Sequence, residues 1–149
     1  MDEIEVDEKN LVFKMGTATT AGVAQIKPLN PFVPQQAETT AATQGIAFRH
    51  SGEPGNMAAV GNRHGQSIEV RGVHFTRSPK SIGLKVKGKG IIEVHTGSPN
   101  GPLLASTAFD TDTWEVVTAT IESKVKGKQD ICFVFGNGNF LFDEWKFAE

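Results

Sequence analysis

The amino-acid sequence predicts an all-β fold, an antiparallel sandwich or barrel. Glycine (16 residues) and proline (7 residues) recur along the whole chain of 149 residues, so few windows are long enough for a helix. Short segments instead alternate apolar and polar side chains, and turn-forming residues separate them at intervals of about ten residues. Closed all-β architectures of this kind also pair or cover the edges of their sheets.

Composition narrows the class of protein before any motif is considered. The formal net charge is −2, from 15 basic and 17 acidic side chains, which gives no overall attraction to nucleic acid. No apolar run approaches the roughly eighteen residues of a membrane span, and no signal peptide is visible at the start of the chain. The single cysteine excludes an internal disulfide and a multi-cysteine zinc site.

The beginning of the chain differs in character from the rest. Acidic residues crowd the first eight positions, and the segment Gly16–Gly22 is small and polar. We interpret residues 1–28 as a linker or as an extension that lies over the domain surface. The folded domain is predicted to cover residues 29–149, beginning at Leu29-Asn30-Pro31-Phe32.

The first strands are predicted from alternation and from turn residues. Gln66–Phe75 reads as extended, with a β-bulge at Gly72 where the apolar positions change parity. Ser81–Lys87 alternates as a half-buried strand, and Ile91–Thr96 is predicted to return from it as a hairpin through the turn Gly88-Lys89-Gly90. Ser98–Pro102 is a loop by composition.

Three more strands are predicted in the second half of the chain: Leu103–Phe109, Trp114–Ile121 and Asp130–Phe135. Asp110 and Asp112 begin like a calcium loop but lack its glycine and its closing glutamate, so they are predicted to form a polar turn. The run from residue 131 to residue 135 is apolar on both faces, which predicts a central strand covered on both sides.

The last predicted strand, Leu141–Phe147, carries one unusual residue. Alternation places Asp143 on the same face as Leu141, Trp145 and Phe147. A carboxylate on a core face must be paired with a cation, hydrogen-bonded several times or bound to a metal ion. Gln36 and Glu38 share one face of another extended segment. These oxygen side chains would suit calcium, and the alternative is that Asp143 hydrogen-bonds a turn while the other two are exposed.

No enzyme motif is present in the sequence. It has no nucleophile elbow, no phosphate-binding loop and no zinc-protease helix. His50, His64, His74 and His95 are scattered without the spacing of metal ligands. Cys132 lies in the most apolar predicted strand, where a thiol behaves as a small core side chain. The sequence therefore predicts a domain that is not an enzyme.

Several motifs in consistent order resemble carbohydrate-binding module family 6. The resemblance begins at Leu29–Phe32 with Gln36-Ala37-Glu38-Thr39, and it ends at Phe142-Asp143-Glu144-Trp145-Lys146-Phe147. Between them it includes the following segments: Gly65–Val70, Val73–Phe75, Ile92–Val94, Ser98–Leu104, Trp114 with Val117-Thr118, and Val125–Phe135. It implies a β-sandwich jelly roll without catalytic activity, which binds polysaccharide for a glycoside hydrolase.

The resemblance also implies a structural calcium ion (Ca²⁺). The family holds this ion with the first and third residues of a Glu-Ala-Glu strand and with the terminal aspartate. The corresponding positions are Gln36, Glu38 and Asp143. Gln36 replaces the commoner glutamate, but its amide oxygen is still a calcium ligand.

The sugar-binding cleft that the resemblance implies has lost its usual residues. The family clamps a sugar ring between two aromatic side chains and adds an asparagine, and the corresponding positions are Ser67, Thr111 and Leu141. The sequence contains no tyrosine, and Trp114 and Trp145 both fall at predicted core positions. Asn137 and Asn139 can supply amides from the same loop.

A second binding site, on the exposed face of one sheet, occurs in some members of the family. Glu93 lies near the position of an acidic residue of that site, with His95 and His74 as its expected neighbours. The alternative is that Glu93 is an ordinary solvent-facing charge. Ser67, Glu93, Thr111, Asn137 and Asn139 are therefore the candidate ligand-binding residues.

Two functions remain open from the sequence. The chain is either a binding module for xylan, arabinoxylan or a related β-glycan, or a structural module with a degenerate cleft that supports a catalytic domain. The acidic extension before Leu29 resembles the linker of glycoside hydrolase family 43 enzymes. This similarity implies an upstream hydrolase domain in a larger bacterial enzyme located outside the cell or in the periplasm.

Overall fold

A computed structural model describes residues 4–7, 12–15 and 27–149 of the chain. Within these ranges the protein consists of β-strands and their connections, and none of the described segments is a helix that could cross a membrane. The strands are β1 (Ile4–Asp7), β2 (Val12–Met15), β3 (Gln35–Gln36), β4 (Ala42–Gln44), β5 (Ala47–His50), β6 (Met57–Gly61), β7 (Gln66–Phe75), β8 (Ser81–Thr96), β9 (Leu103–Thr120), β10 (Gly127–Phe135) and β11 (Asn139–Ala148).

One antiparallel sheet bends over on itself to form the sandwich. Its strand order is β4-β7-β10-β8-β11-β6-β5, with β3 paired to β11 and β9 paired to β8. The first part of β8 pairs with β11 and its last part pairs with β10, so this long strand belongs to both layers. We call the layers the β11 half (β3, β11, β6 and β5) and the β10 half (β10, β7 and β4). The predicted antiparallel β-sandwich is confirmed.

Aromatic side chains fill the space between the two halves. The ring of Phe133 on β10 lies 5.2 Å from that of Phe142 on β11, and the rings of Phe135 and Phe140 are 5.0 Å apart. Trp145 is 1% exposed, as its predicted core position requires. Each of these large apolar side chains contributes about 1.5–3 kcal/mol by its removal from water. Both β10 and β11 therefore supply large apolar side chains to the core.

The hairpin predicted at Gly88-Lys89-Gly90 is wrong, because β8 runs through these residues without turning. Gly88 has a positive φ of 111°, and a Cβ atom there would lie 2.8 Å from the Cα of Phe140. At Gly90 a Cβ atom would overlap the ring of the same phenylalanine. The glycines are needed for the close approach of Phe140, and they do not reverse the chain.

The polar turn predicted at Asp110 and Asp112 is also wrong. β9 is one strand that pairs with β8 along nearly its whole length. The loop predicted at Ser98–Pro102 connects the two strands. The register shifts between the pairs Val86–Glu115 and Gly88–Thr111, so residues 112–114 of β9 lie opposite one residue of β8. The two predicted strands are thus the two ends of one bulged strand.

The bulge predicted in β7 is confirmed. Gly72 has a φ of 70°, and the register against β10 shifts at this point. The amide of Gly72 donates a hydrogen bond to Oδ1 of Asp130 at 2.9 Å. β10 lies between β7 and β8, and Ile131, Cys132 and Phe133 are fully buried, so the predicted central strand is confirmed too.

The boundary of the folded domain near Leu29 stays a prediction. The backbone of Leu29 exchanges hydrogen bonds with β7 through Gly72 O (3.0 Å) and His74 N (2.9 Å). β1 and β2 pair with each other within the stretch predicted as a linker. The rest of that stretch up to residue 26 lies outside the described residues.

Candidate functional site

A second bulge, in β11, places the carboxylate of Asp143 on the outer face of the β11 half. The register against β8 shifts between Phe142 and Glu144. Phe140 and Phe142 face the core before the bulge, and Trp145 and Phe147 face it afterwards. Leu141 therefore points outward and is half-buried. The predicted alternation, which placed Leu141 on the face of Trp145, is wrong because the bulge changes the parity of the strand.

The carboxylate of Asp143 is only 1% exposed, and both of its oxygens are hydrogen-bonded. Oδ1 accepts from Nδ2 of Asn56 at 2.8 Å, and Oδ2 accepts from Nζ of Lys85 at 2.8 Å. The hydrogen bond to Asp143 raises the pKa of Lys85 above its ordinary value. The sequence left three ways to satisfy this carboxylate: a cation, several hydrogen bonds or a metal ion. The structure contains the pairing with a cation of the chain, Lys85.

The other two predicted calcium ligands lie beside β11. The amide of Ala37, between them in sequence, donates to the backbone oxygen of Asp143 at 2.7 Å. Oε1 of Gln36 and Oε2 of Glu38 are buried and have no hydrogen-bond partner. Unpartnered buried oxygens are costly unless a cation or water satisfies them, so these two residues fit a calcium site.

The third predicted ligand fits less well, because Lys85 and Asn56 already occupy the side-chain oxygens of Asp143. Among the described residues no group of three His, Cys, Asp or Glu side chains is arranged to hold a metal ion. The predicted set contains only two such residues besides Gln36. Calcium binding therefore stays a prediction.

Two candidate ligand-binding residues, Ser67 and Thr111, are at least partly buried. Ser67 on β7 is 5% exposed, and it lies opposite Val134 on the same outer face of the β10 half as Glu93. Burial raises the pKa of the Cys132 thiol on the neighbouring strand β10 to about 11. Thr111 lies opposite Gly88, with a buried hydroxyl that has no partner. Neither side chain is available to a ligand in this structure.

Asn137 and Asn139 are exposed in and next to the β10–β11 connection. Asn139 lies opposite Lys89 on β8, and Lys89 lies opposite Asp110 on β9. Nζ of Lys89 is 2.6 Å from Oδ2 of Asp110. The structure thus places a row of accessible amide, ammonium and carboxylate groups at this end of the sandwich, all suited to hydrogen-bonding hydroxyl groups.

Glu93 lies apart from this row, on the outer face of the β10 half. Its side chain is 44% exposed, and Oε2 is 3.3 Å from Nε2 of His95. Nδ1 of His95 is 2.8 Å from the backbone oxygen of Gly101. His95 is a neighbour of Glu93, as expected, but His74 is not, because it lies opposite Lys128 at the far end of β7.

Trp114 was predicted in the core but lies half-buried on the outer face of the β11 half. Its Nε1 donates to the backbone oxygen of Ser51 at 3.2 Å, and its ring centroid is 5.7 Å from Nζ of Lys85. The alternation in the sequence places the side chain of Lys85 on the outer face, away from the core face of Leu84 and Val86. It gave no signal for the partners of Lys85, since these are distant along the chain.

Comparison with known proteins identifies the family. The sequence model for "Carbohydrate binding module (family 6)" matches residues 36–149. Arabinoxylan arabinofuranohydrolases of Bacillus subtilis (strain 168) and Paenibacillus polymyxa are each 33% identical to the chain, over 148 and 142 residues. These matches cover 89% and 85% of this chain but 28% and 22% of the relatives, so the chain spans about a quarter of their length.

Solved structures agree with this match. A glycoside hydrolase family 43 arabinoxylan arabinofuranohydrolase from Bacillus subtilis, in complex with cellotetraose, superposes with a TM-score of 0.83 and 26% identity, over 99% of this chain and 33% of that one. A β-1,3-glucan-binding family 6 module from Bacillus halodurans gives 0.76 and 26%, over 83% and 100%. A Clostridium stercorarium family 6 module in complex with cellobiose gives 0.74 and 27%, over 84% and 99%. The chain belongs to carbohydrate-binding module family 6.

Proposed function

We propose that this chain binds xylan, arabinoxylan or a related β-glycan and directs a glycoside hydrolase to that polysaccharide. The observation that carries the proposal is the similarity to two arabinoxylan arabinofuranohydrolases across most of this chain. Modules of this family bind carbohydrate without catalysing a reaction. Because plant polysaccharides lie outside cells, the parent enzyme would act outside the cell or in the periplasm.

The exposed polar groups offer two places for a glycan. Asn137 and Asn139 present amides beside Lys89, and amides pair well with sugar hydroxyls. On the other half, Glu93 and His95 present an accessible carboxylate and an imidazole on one strand. Each place supplies hydrogen bonds for orientation, and neither contains the pair of stacked aromatic rings that is usual in the family.

Affinity electrophoresis through gels containing arabinoxylan, xylan or β-glucan tests this function, with calcium present. We expect retardation in at least the arabinoxylan gel. Asn139→Ala and Glu93→Gln separate the two places, and Glu122→Gln on an exposed loop is the control for loss of one negative charge. Unchanged migration in all three gels would contradict the proposal.

A second candidate function is a structural module that supports a catalytic domain. It is favoured by the burial of Ser67 and by a groove of about 380 Å³ on the outer face of the β11 half. Pro34, Gly83 and Val116 line this groove, and Val116 is 66% exposed. An exposed apolar side chain beside a groove suits contact with another protein surface. Failure of all glycans to bind would favour this function.

We also propose that calcium binds at Gln36, Glu38 and Asp143 and stabilises the fold. The unpartnered oxygens of Gln36 and Glu38 support the proposal. Calcium is expected to raise the melting temperature of the wild type, and Glu38→Ala and Asp143→Ala are expected to remove that increase. Glu122→Ala is the control. Identical wild-type melting curves in calcium and in chelator would contradict the proposal.

A further inference from the structure

The long strand β8 carries three lysines on the outer face of the β11 half: Lys85, Lys87 and Lys89. Alternation along the strand places them there, because Leu84 and Val86 face the core and are fully buried. Like charges in a row repel one another, so a counter-charge from the protein or from a ligand lowers the energy of such a row.

The first and last lysines of the row have counter-charges within the chain. Lys85 is 2.8 Å from Asp143 and 3.6 Å from Glu53, and Lys89 is 2.6 Å from Asp110. Lys87 is exposed, and none of the carboxylates among residues 27–149 lies within 4.0 Å of its ammonium group. Among residues 27–149, Lys87 is therefore the lysine of this row without a carboxylate within 4.0 Å.

The surroundings of Lys87 resemble the parts of a small binding site. On one side it pairs with Leu141 of β11, and Asn139 lies one strand repeat further along. On the other side lies the β9 bulge of residues 112–114, which begins with the exposed Asp112 and ends at Trp114. The Asp112 carboxylate is more than 4.0 Å from the Lys87 ammonium group. An exposed amide, an uncompensated ammonium group and a half-buried indole ring thus surround one position on the sheet.

These groups discriminate between glycans by charge. An amide and an indole bind neutral and acidic sugars alike, since they contact hydroxyl groups and apolar C–H faces. An ammonium group gains most from a carboxylate, because a charge-assisted hydrogen bond is roughly twice as strong as a neutral one. A nucleic acid does not fit, because strong binding to phosphates needs several free cations and the other two lysines are neutralised.

We propose that the face around Lys87 binds a uronic acid unit of an acidic polysaccharide, with the Lys87 ammonium group contacting its carboxylate. The inference rests on the proposed glycan binding and adds the charge class of the ligand. Asn139 contacts hydroxyl groups of the same unit or of its neighbour. The carboxylate supplies the missing counter-charge in the lysine row.

The test compares a glucuronic-acid-bearing xylan with the same polymer after chemical reduction of its carboxyl groups. Affinity electrophoresis and calorimetry of the full chain are run with the wild type, Lys87→Gln and Lys128→Gln. Lys128 is exposed on β10 opposite His74, so its substitution removes the same charge at a distant place. We expect Lys87→Gln to weaken binding of the acidic polymer about tenfold, and Lys128→Gln to have little effect.

The outcomes separate this inference from the proposed function. The expected result is tighter binding of the acidic polymer, lost on carboxyl reduction and weakened by added salt. Equal binding of both polymers, or equal effects of the two substitutions, would overturn the inference and leave glycan binding intact. Binding of neither polymer would overturn both.

Discussion

Strands β10 and β11 pair with the two ends of the same long strand, β8, but use their side chains differently. β10 alternates without interruption from Ile131 to Phe135, and its core-facing residues are fully buried. β11 is interrupted at Asp143, so its core face changes parity in the middle of the strand. The regular segment of β10, Ile131–Phe135, supplies core packing on one face and a buried thiol on the other. The bulged strand supplies core packing and an outward carboxylate with distant partners, which shows how a bulge adds a polar site without loss of the core.

The largest expected effect tests whether both strands belong to one core. Phe133→Ala on β10 and Phe142→Ala on β11 should each lower the free energy of unfolding by about 3–5 kcal/mol, because each leaves a cavity between the two halves. Leu141→Ala is the control, and it should cost clearly less because Leu141 is half-buried on the outer face. Denaturant unfolding with one cooperative transition checks this. A greater loss for Leu141→Ala than for Phe142→Ala would show that the bulge is misplaced.

The next effect compares two ion pairs on the same face of β8. Asp143→Ala should cost about 2–3 kcal/mol, since it removes a buried acceptor and leaves Lys85 and Asn56 without their partner. Asp110→Ala breaks the exposed pair with Lys89 and should leave the unfolding midpoint unchanged. A double-mutant cycle with Lys85→Met measures the coupling in the buried pair. Equal effects of the two aspartate substitutions would refute the difference in burial.

Much of the fold is predictable from sequence where alternation is unbroken. The windows of β7 and β10 and the core position of Trp145 follow from period-two patterns and agree with the structure. The hairpin at Gly88 is wrong because a glycine that admits Phe140 looks the same in sequence as a glycine in a turn. A local sequence pattern shows that a glycine is present, but it does not show whether the glycine forms a turn or leaves space for a side chain that is distant in sequence, such as Phe140.

The candidate site was only partly predictable for the same reason. Asp143 stands out in the sequence as a carboxylate in an apolar strand. Its partners Lys85 and Asn56 come from other strands and loops, and no local spacing connects them to it. The family resemblance supplied positions such as Ser67 and Thr111, but it did not show that smaller side chains there are buried.

The next comparison concerns two glycines with positive φ. Gly88→Ala should cost about 2–3 kcal/mol, because the new Cβ atom would approach Asn139 and Phe140 of β11 in addition to the backbone strain. Gly97→Ala, with a φ of 78° and no atom within 4 Å of the new Cβ, should cost about 1 kcal/mol from strain alone. Thermal or denaturant unfolding of the pair measures the difference. Equal losses would indicate that the close approach of β8 and β11 is absent.

The smallest expected effect concerns the regular strand. Burial raises the pKa of Cys132 to about 11, so the native thiol should stay protonated and should not react with iodoacetamide at pH 8. Since this pKa is raised by folding, the contribution of the thiol to stability is complete below the unfolded pKa of 9.0. That contribution is lost as the pH rises towards 11. Mass spectrometry should find alkylation only in denaturant, and rapid alkylation of the native protein would contradict the buried position.

The central claim is that this family 6 module binds a plant β-glycan although its usual aromatic clamp is missing. Calorimetric titration of the purified chain with soluble arabinoxylan, in calcium, tests the claim most directly. We expect saturable binding that Asn139→Ala or Glu93→Gln weakens and that Glu122→Gln leaves unchanged. An absence of binding to arabinoxylan, xylan and β-glucan by a folded protein would contradict the claim and favour a structural role beside a catalytic domain.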